Sequence, residues 1–111
     1  VNKHQKHHIY EGNRAKDGTV SVLVDGEPLP PCNDVYNHSP DGFEWGYGGS
    51  GPAQLALALL VHHCGKNRAL KYYQDFKWRF ISILPKDEIW KIESEDLDYW
   101  ILLIDGEQQH V

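Results

Sequence analysis

Apolar and polar positions alternate clearly near the start of the chain. In residues 19–24, Val20, Val22 and Val24 point one way, while Thr19, Ser21 and Leu23 point the other. That period of two belongs to a strand with one covered face. Residues 9–14 read as a partner strand and Lys16-Asp17-Gly18 as the turn between them, so a hairpin is expected. Asp25-Gly26 signals a second turn. The segment Glu27-Pro28-Leu29-Pro30-Pro31 that follows can run extended but cannot be a central strand.

The pattern then changes to helical spacing. Residues 53–61 are apolar except for Gln54, and Leu55, Leu57, Leu59, Leu60 and Val61 leave almost no polar face. Such a helix is buried on several sides. Ser50 or Gly51 is the expected cap, Pro52 suits the first turn, and Gly65 sits where a C-terminal cap belongs. A second helix is expected from about Asn67, with Ala69, Tyr73, Phe76, Phe80 and Ile83 on one face. The segment 78–84 also fits a strand, and Pro85 stops either. Ile89 to Ile92 is a short strand candidate. Ser94 is the expected cap of a third helix that buries Leu97, Trp100, Ile101 and Ile104 and ends at Gly106. The expected fold class is α+β. A small antiparallel sheet, made of the N-terminal hairpin and short strands, packs against about three helices, the central one buried.

Residues 32–51 fit neither period. Asn, Asp, Ser, Pro and several glycines alternate there with Tyr36, Phe43, Trp45 and Tyr47. A loop this long inside a small domain is often functional, and its aromatics imply ordered packing, with Phe43 to Trp45 as a short extended piece.

Composition sets the outer limits. The 111 residues suit one domain, spanning 1–111, with the polar, histidine-bearing residues 1–8 as a frayed tail. A hydrophobic share of 41% with four tryptophans is too apolar for a disordered chain. The formal net charge of -5 disfavours general binding to a phosphate backbone. Acidic residues crowd the segment from Pro85 onward, against only Lys86 and Lys91 there. They form either a solvated face or a surface for a basic partner. Two cysteines make no disulfide framework, the apolar run is too short to span a bilayer, and no signal peptide is recognisable. A cytoplasmic protein is expected. The chain starts at Val1, which leaves room for an initiator Met or an upstream piece before it.

Four constellations carry possible chemistry. Gly46-Tyr47-Gly48-Gly49-Ser50-Gly51-Pro52 leads into a helix N-terminus, where backbone N–H groups favour an anion. The Lys-Ser/Thr end of a nucleotide P-loop is missing, and the favoured reading is a tight loop whose glycines let the buried helix pack closely against a sheet. Upstream, His38 and Glu44 could pair as acid and base with Ser39 as nucleophile, yet Asn37, Ser39, Pro40, Asp41 and Gly42 are ordinary turn residues. His62, His63 and Cys64 with Cys32 suggest a metal, but adjacent helical residues point about 100° apart. Arg68, Lys71, Lys77 and Arg79 beside Tyr72, Tyr73, Phe76, Trp78 and Phe80 could stack single-stranded nucleic acid, although such spacing usually marks a core.

The run Asn37-His38-Ser39-Pro40-Asp41-Gly42-Phe43-Glu44-Trp45-Gly46-Tyr47-Gly48-Gly49-Ser50-Gly51-Pro52-Ala53-Gln54-Leu55-Ala56 resembles a small domain-of-unknown-function family of bacteria, archaea, plasmids and viruses. The likeness extends from residues 19–26 through Tyr73-Gln74-Asp75-Phe76-Lys77 to the Trp90 region. It implies no activity, only genomic company among phages and mobile elements, whose small proteins often bind host or rival components.

The expectation is therefore a non-catalytic binding protein acting through the 37–51 loop, without cofactor or metal. Its candidate contacts are Asn37, His38, Ser39, Glu44, Trp45, Tyr47, Gly48, Gly49, Ser50 and Gly51. A protein is the expected partner, a small anionic ligand a possible one, with nucleic acid unfavoured and no membrane. The alternatives are a small-ligand or nucleotide-phosphate site at the helix starting near Pro52, hydrolytic or not, and nucleic-acid binding through the Arg68 to Arg79 face.

Overall fold

Four antiparallel strands and three helices make up the computed structural model, which describes residues 7–109. The chain runs β1 (Ile9–Arg14), β2 (Val20–Val24), β3 (Glu27–Pro28), α1 (Ser50–Cys64), α2 (Lys66–Phe76), a π-helical turn (Lys77–Ile81), β4 (Trp90–Glu93) and α3 (Ser94–Gln109). The strand order is β3-β2-β1-β4, so the first strand is central and pairs with the last. The expected hairpin sets Tyr10 opposite Val24 and Arg14 opposite Val20. Asp25 (φ 52°) and Gly26 (φ 86°) form the second turn, leading to the proline-bearing edge strand.

The sheet's inner face presents Tyr10, Val22, Val24, Trp90 and Ile92, all buried. Gly12 lies opposite Trp90 in the register, and a Cβ there would fall 2.2 Å from the indole ring, so the glycine makes room for it. α1 is the core of the molecule: Leu55, Leu57, Leu59 and Leu60 have no exposed surface. α2 and α3 add Ala69, Tyr73, Phe76, Leu97, Ile101 and Ile104 to the same core.

Several boundaries differ from the sequence expectation. The cap of α1 is Gly49, not Ser50 or Gly51, and no side chain bonds to it; Gly65 (φ 87°) closes the helix as expected. Residues 78–81 are neither α-helix nor strand but a π turn, closed by the Ser82 N–H on the Lys77 carbonyl at 2.8 Å. Phe43 to Trp45 forms no strand. Ser94 opens α3 but does not cap it. Its Oγ accepts the His8 N–H (2.6 Å) and donates to the His8 carbonyl (3.1 Å), while Asp96 takes the Glu93 N–H (2.9 Å). The reach of Asp96 back to the residue before the helix is half of a capping box. α3 continues through Gly106. Of the expected tail, residues 1–6 lie outside the described residues. His7 and His8 are tied down, to Glu93 and Glu95 and to Asp25 respectively. Among the described residues, no helix is long and apolar enough to cross a membrane.

Candidate functional site

The 37–51 loop is anchored at two points. At one, Gln54 sits on the first turns of α1 with no exposed surface. Its Oε1 accepts the N–H groups of His38 (2.8 Å) and Ser39 (3.2 Å), and its Nε2 donates to the carbonyls of Pro31 (2.6 Å) and Tyr36 (3.1 Å). A buried amide holds its place when its donors and acceptors are paired, and here it shapes the loop around itself. Asn33 Nδ2 adds bonds to Asn37 Oδ1 (2.9 Å) and to the Ser39 carbonyl (3.2 Å).

At the other anchor, Arg14 grips Glu44 with both terminal nitrogens, at 3.0 and 2.6 Å, and donates from Nε to the Lys86 carbonyl at 3.0 Å. The guanidinium lies 5.0 Å over the ring of Trp45. Trp45 is wholly buried, donates to the Pro85 carbonyl at 3.2 Å and meets Trp90 edge to face. The Arg14 bond holds the Glu44 carboxyl below its ordinary range.

The glycines admit side chains at close range. A Cβ on Gly48 would lie 2.0 Å from the Trp78 ring, one on Gly49 2.4 Å from Tyr47, and one on Gly51 2.7 Å from Glu44 Cβ. Gly46 (φ 85°) turns the chain so that its N–H reaches the Ile81 carbonyl at 3.1 Å. The glycine run that suggested a phosphate cradle is thus covered by two aromatic rings and an acidic side chain, while Ser50 at the mouth of α1 is exposed.

Sequence neighbours separate in space. No hydrogen bond or ion pair joins His38 to Glu44 or to the Ser39 hydroxyl among the described residues. His38 turns instead to Tyr73, with its Nε2 and the hydroxyl 2.7 Å apart, and Tyr36 stacks on it at 4.3 Å. Gln74 donates to the same hydroxyl at 3.2 Å, which leaves the hydroxyl proton for a neutral imidazole. Burial, then the charge of Lys77, pushes the His38 pKa down.

Three residues outside the candidate set complete this face: Tyr36, Lys77 and Trp78. Tyr36, Tyr47 and Trp78 are 54%, 45% and 58% exposed. The Lys77 ammonium sits 4.2 Å from the Trp78 ring centroid, and Lys86 lies 5.4 Å from that of Tyr47. The sequence signal for Lys77 and Trp78 was their place in a basic, aromatic run. That run does not form a stacking platform, because Tyr72, Tyr73 and Phe76 are buried and Arg79 pairs with Glu107.

The histidines ending α1 also part company. His62 shares a 2.8 Å hydrogen bond with the Tyr10 hydroxyl, and His63 meets Asp98 at 2.6 Å. Cys32 and Cys64 are both free thiols, each with its pKa pushed up by burial. Among the described residues, no group of three or more His, Cys, Asp or Glu is placed to hold a metal ion.

A family model described as a family of unknown function (DUF6166) matches residues 10–103, which includes both anchors and the rings of Tyr36, Tyr47 and Trp78. Comparison with curated proteins and with solved structures returns no match.

Proposed function

The chain belongs to the family of unknown function DUF6166, and from that premise we propose that it is a non-catalytic binding protein whose partner is another protein. The contact surface is the 37–51 loop widened by Tyr36 and Trp78. One observation carries this reading: three large rings stand exposed on one rigidly anchored face, 54%, 45% and 58% open to solvent. Aromatic residues on a fixed scaffold are the usual anchors of protein interfaces. His38 and Glu44 are each committed to a structural partner, which supports a role without catalysis. The genomic company implied by the family likeness adds a viral or mobile-element origin and a partner in the host cytoplasm.

Photo-crosslinking in its own host tests the reading, with a benzophenone amino acid at Tyr47 and, as control, at Tyr99 on α3. A discrete protein adduct from position 47 alone, lost in Trp78→Ala, is the expected result. Equal adducts from both positions, or none from 47, would overturn it.

A second reading is a small-ligand or nucleotide-phosphate site at the start of α1, hydrolytic or not. It draws support from the absence of any side-chain cap there. Glu44 weighs on the other side, since its side-chain stem fills the space beside Gly51 at that helix end. Equilibrium dialysis with ATP and inorganic phosphate decides between the two.

A further inference from the structure

The π turn sets Lys77 and Trp78 in opposite senses. Lys77 is buried, with 8% of its surface exposed, whereas Trp78 stands out at 58%. Among the described residues no carboxylate pairs with Lys77; its ammonium faces the Trp78 ring at 4.2 Å. Nearby, Arg14 is matched by Glu44 and Arg79 by Glu107, whereas Lys86 over Tyr47 has no salt bridge among the described residues. The Lys77 stem is buried, but its ammonium reaches the surface with only the Trp78 ring opposite it, which leaves its charge for an anion supplied from outside. π turns themselves recur at functional sites.

The surroundings define the anion. Tyr73 lies one turn before Lys77 on the same helical face and holds His38, on which Tyr36 stacks. The cation is therefore bordered by the Tyr36–His38 pair on one side and Trp78 on the other. One ammonium among rings suits a single carboxylate flanked by apolar groups. Phosphate would call for several converging donors, and the nearby glycine backbone is covered by Trp78 and Tyr47.

Resting on the protein-binding reading above, we infer that Lys77 is the anchor for an Asp or Glu side chain of the partner, received between Trp78 and the Tyr36–His38 stack. The neighbouring apolar side chains of that partner lie against Trp78 and Tyr47.

A phage-displayed random peptide library selected on the full chain tests this. Peptides enriched on the wild type should share an acidic residue beside an aromatic or aliphatic one. Their affinity should fall about tenfold or more in Lys77→Met, as for other desolvated charge pairs. Replacing the peptide's acid by its amide should cost as much, and the two changes together no more than either alone. The amide peptide probes the contact without altering the protein, and Lys77→Met should keep or raise the melting temperature. Peptides that need Trp78 but carry no acid, or bind Lys77→Met equally well, would overturn the anchor and leave the protein-binding reading standing. Peptides displaced by inorganic phosphate where acetate is inert would overturn the carboxylate assignment. A selection yielding nothing that depends on Trp78 would overturn both.

Discussion

Glycine serves two unrelated purposes in this chain, and substitution separates them. Gly26 needs its positive φ of 86° and has open space where a side chain would stand, so Gly26→Ala should cost about 1 kcal/mol through the backbone alone. Gly12 has no such φ but lies under Trp90, and Gly12→Ala should cost about 1–3 kcal/mol by displacing the ring. Urea unfolding measures both costs; only Gly12→Ala should also change the near-ultraviolet dichroism of the tryptophans. Gln54→Leu keeps the volume but strands two loop N–H groups and two carbonyls, for a loss of about 2–4 kcal/mol. Hydrogen exchange should speed up at His38 and Ser39 before it does in α1. These roles were partly legible beforehand. Gln54 stands out as the lone polar break in an apolar run, but its partners depend on how the loop folds back. Gly12 looks like any strand glycine until Trp90, far along the chain, is placed beside it.

Helices and strands were easier to read than their ends, and the π turn shows why. Apolar spacing along residues 69–83 assumes 3.6 residues per turn, which puts Ile83 in the core. The turn at Lys77–Ile81 inserts an extra residue into the winding. The phase shifts by about 100°, so Ile81 is fully buried and Ile83 is 74% exposed. Ile81→Ala should therefore cost about 2–5 kcal/mol, and Ile83→Ser less than about 0.5 kcal/mol. Thermal or urea unfolding of the two variants checks the reversal. The same shift carries Phe80 onto Trp100, with the rings stacked 4.4 Å apart. No local propensity announces such an insertion. The glycine-rich entry to α1 allows two readings for a related reason: in sequence, a glycine that admits a ring looks the same as one that admits a phosphate.

For the molecule as a whole, acid should be the weak direction. Glu44, lowered by Arg14, contributes stability above the ordinary carboxyl value that is lost as pH falls through its folded value. His62, lowered by burial and then by His8 among neighbours that include Tyr10, Asp25 and His63, contributes above about pH 6.5 and loses it on acidification. His38 acts in the same sense. His7 is raised by Glu95 and acts oppositely, but it is exposed and its effect is screened. Melting temperatures should thus fall from about pH 7 to 5, with a flatter profile in the double variant His38→Gln, His62→Gln. The strand order has a different consequence. Because β4 pairs with the first strand and leads straight into α3, the last part of the chain closes a sheet begun by the first. A cut in the exposed turn at residues 86–88 would leave two pieces, each lacking half of the Gly12–Trp90 fit. Neither should show native dichroism alone, and mixing should restore it, which would make the chain a natural split reporter.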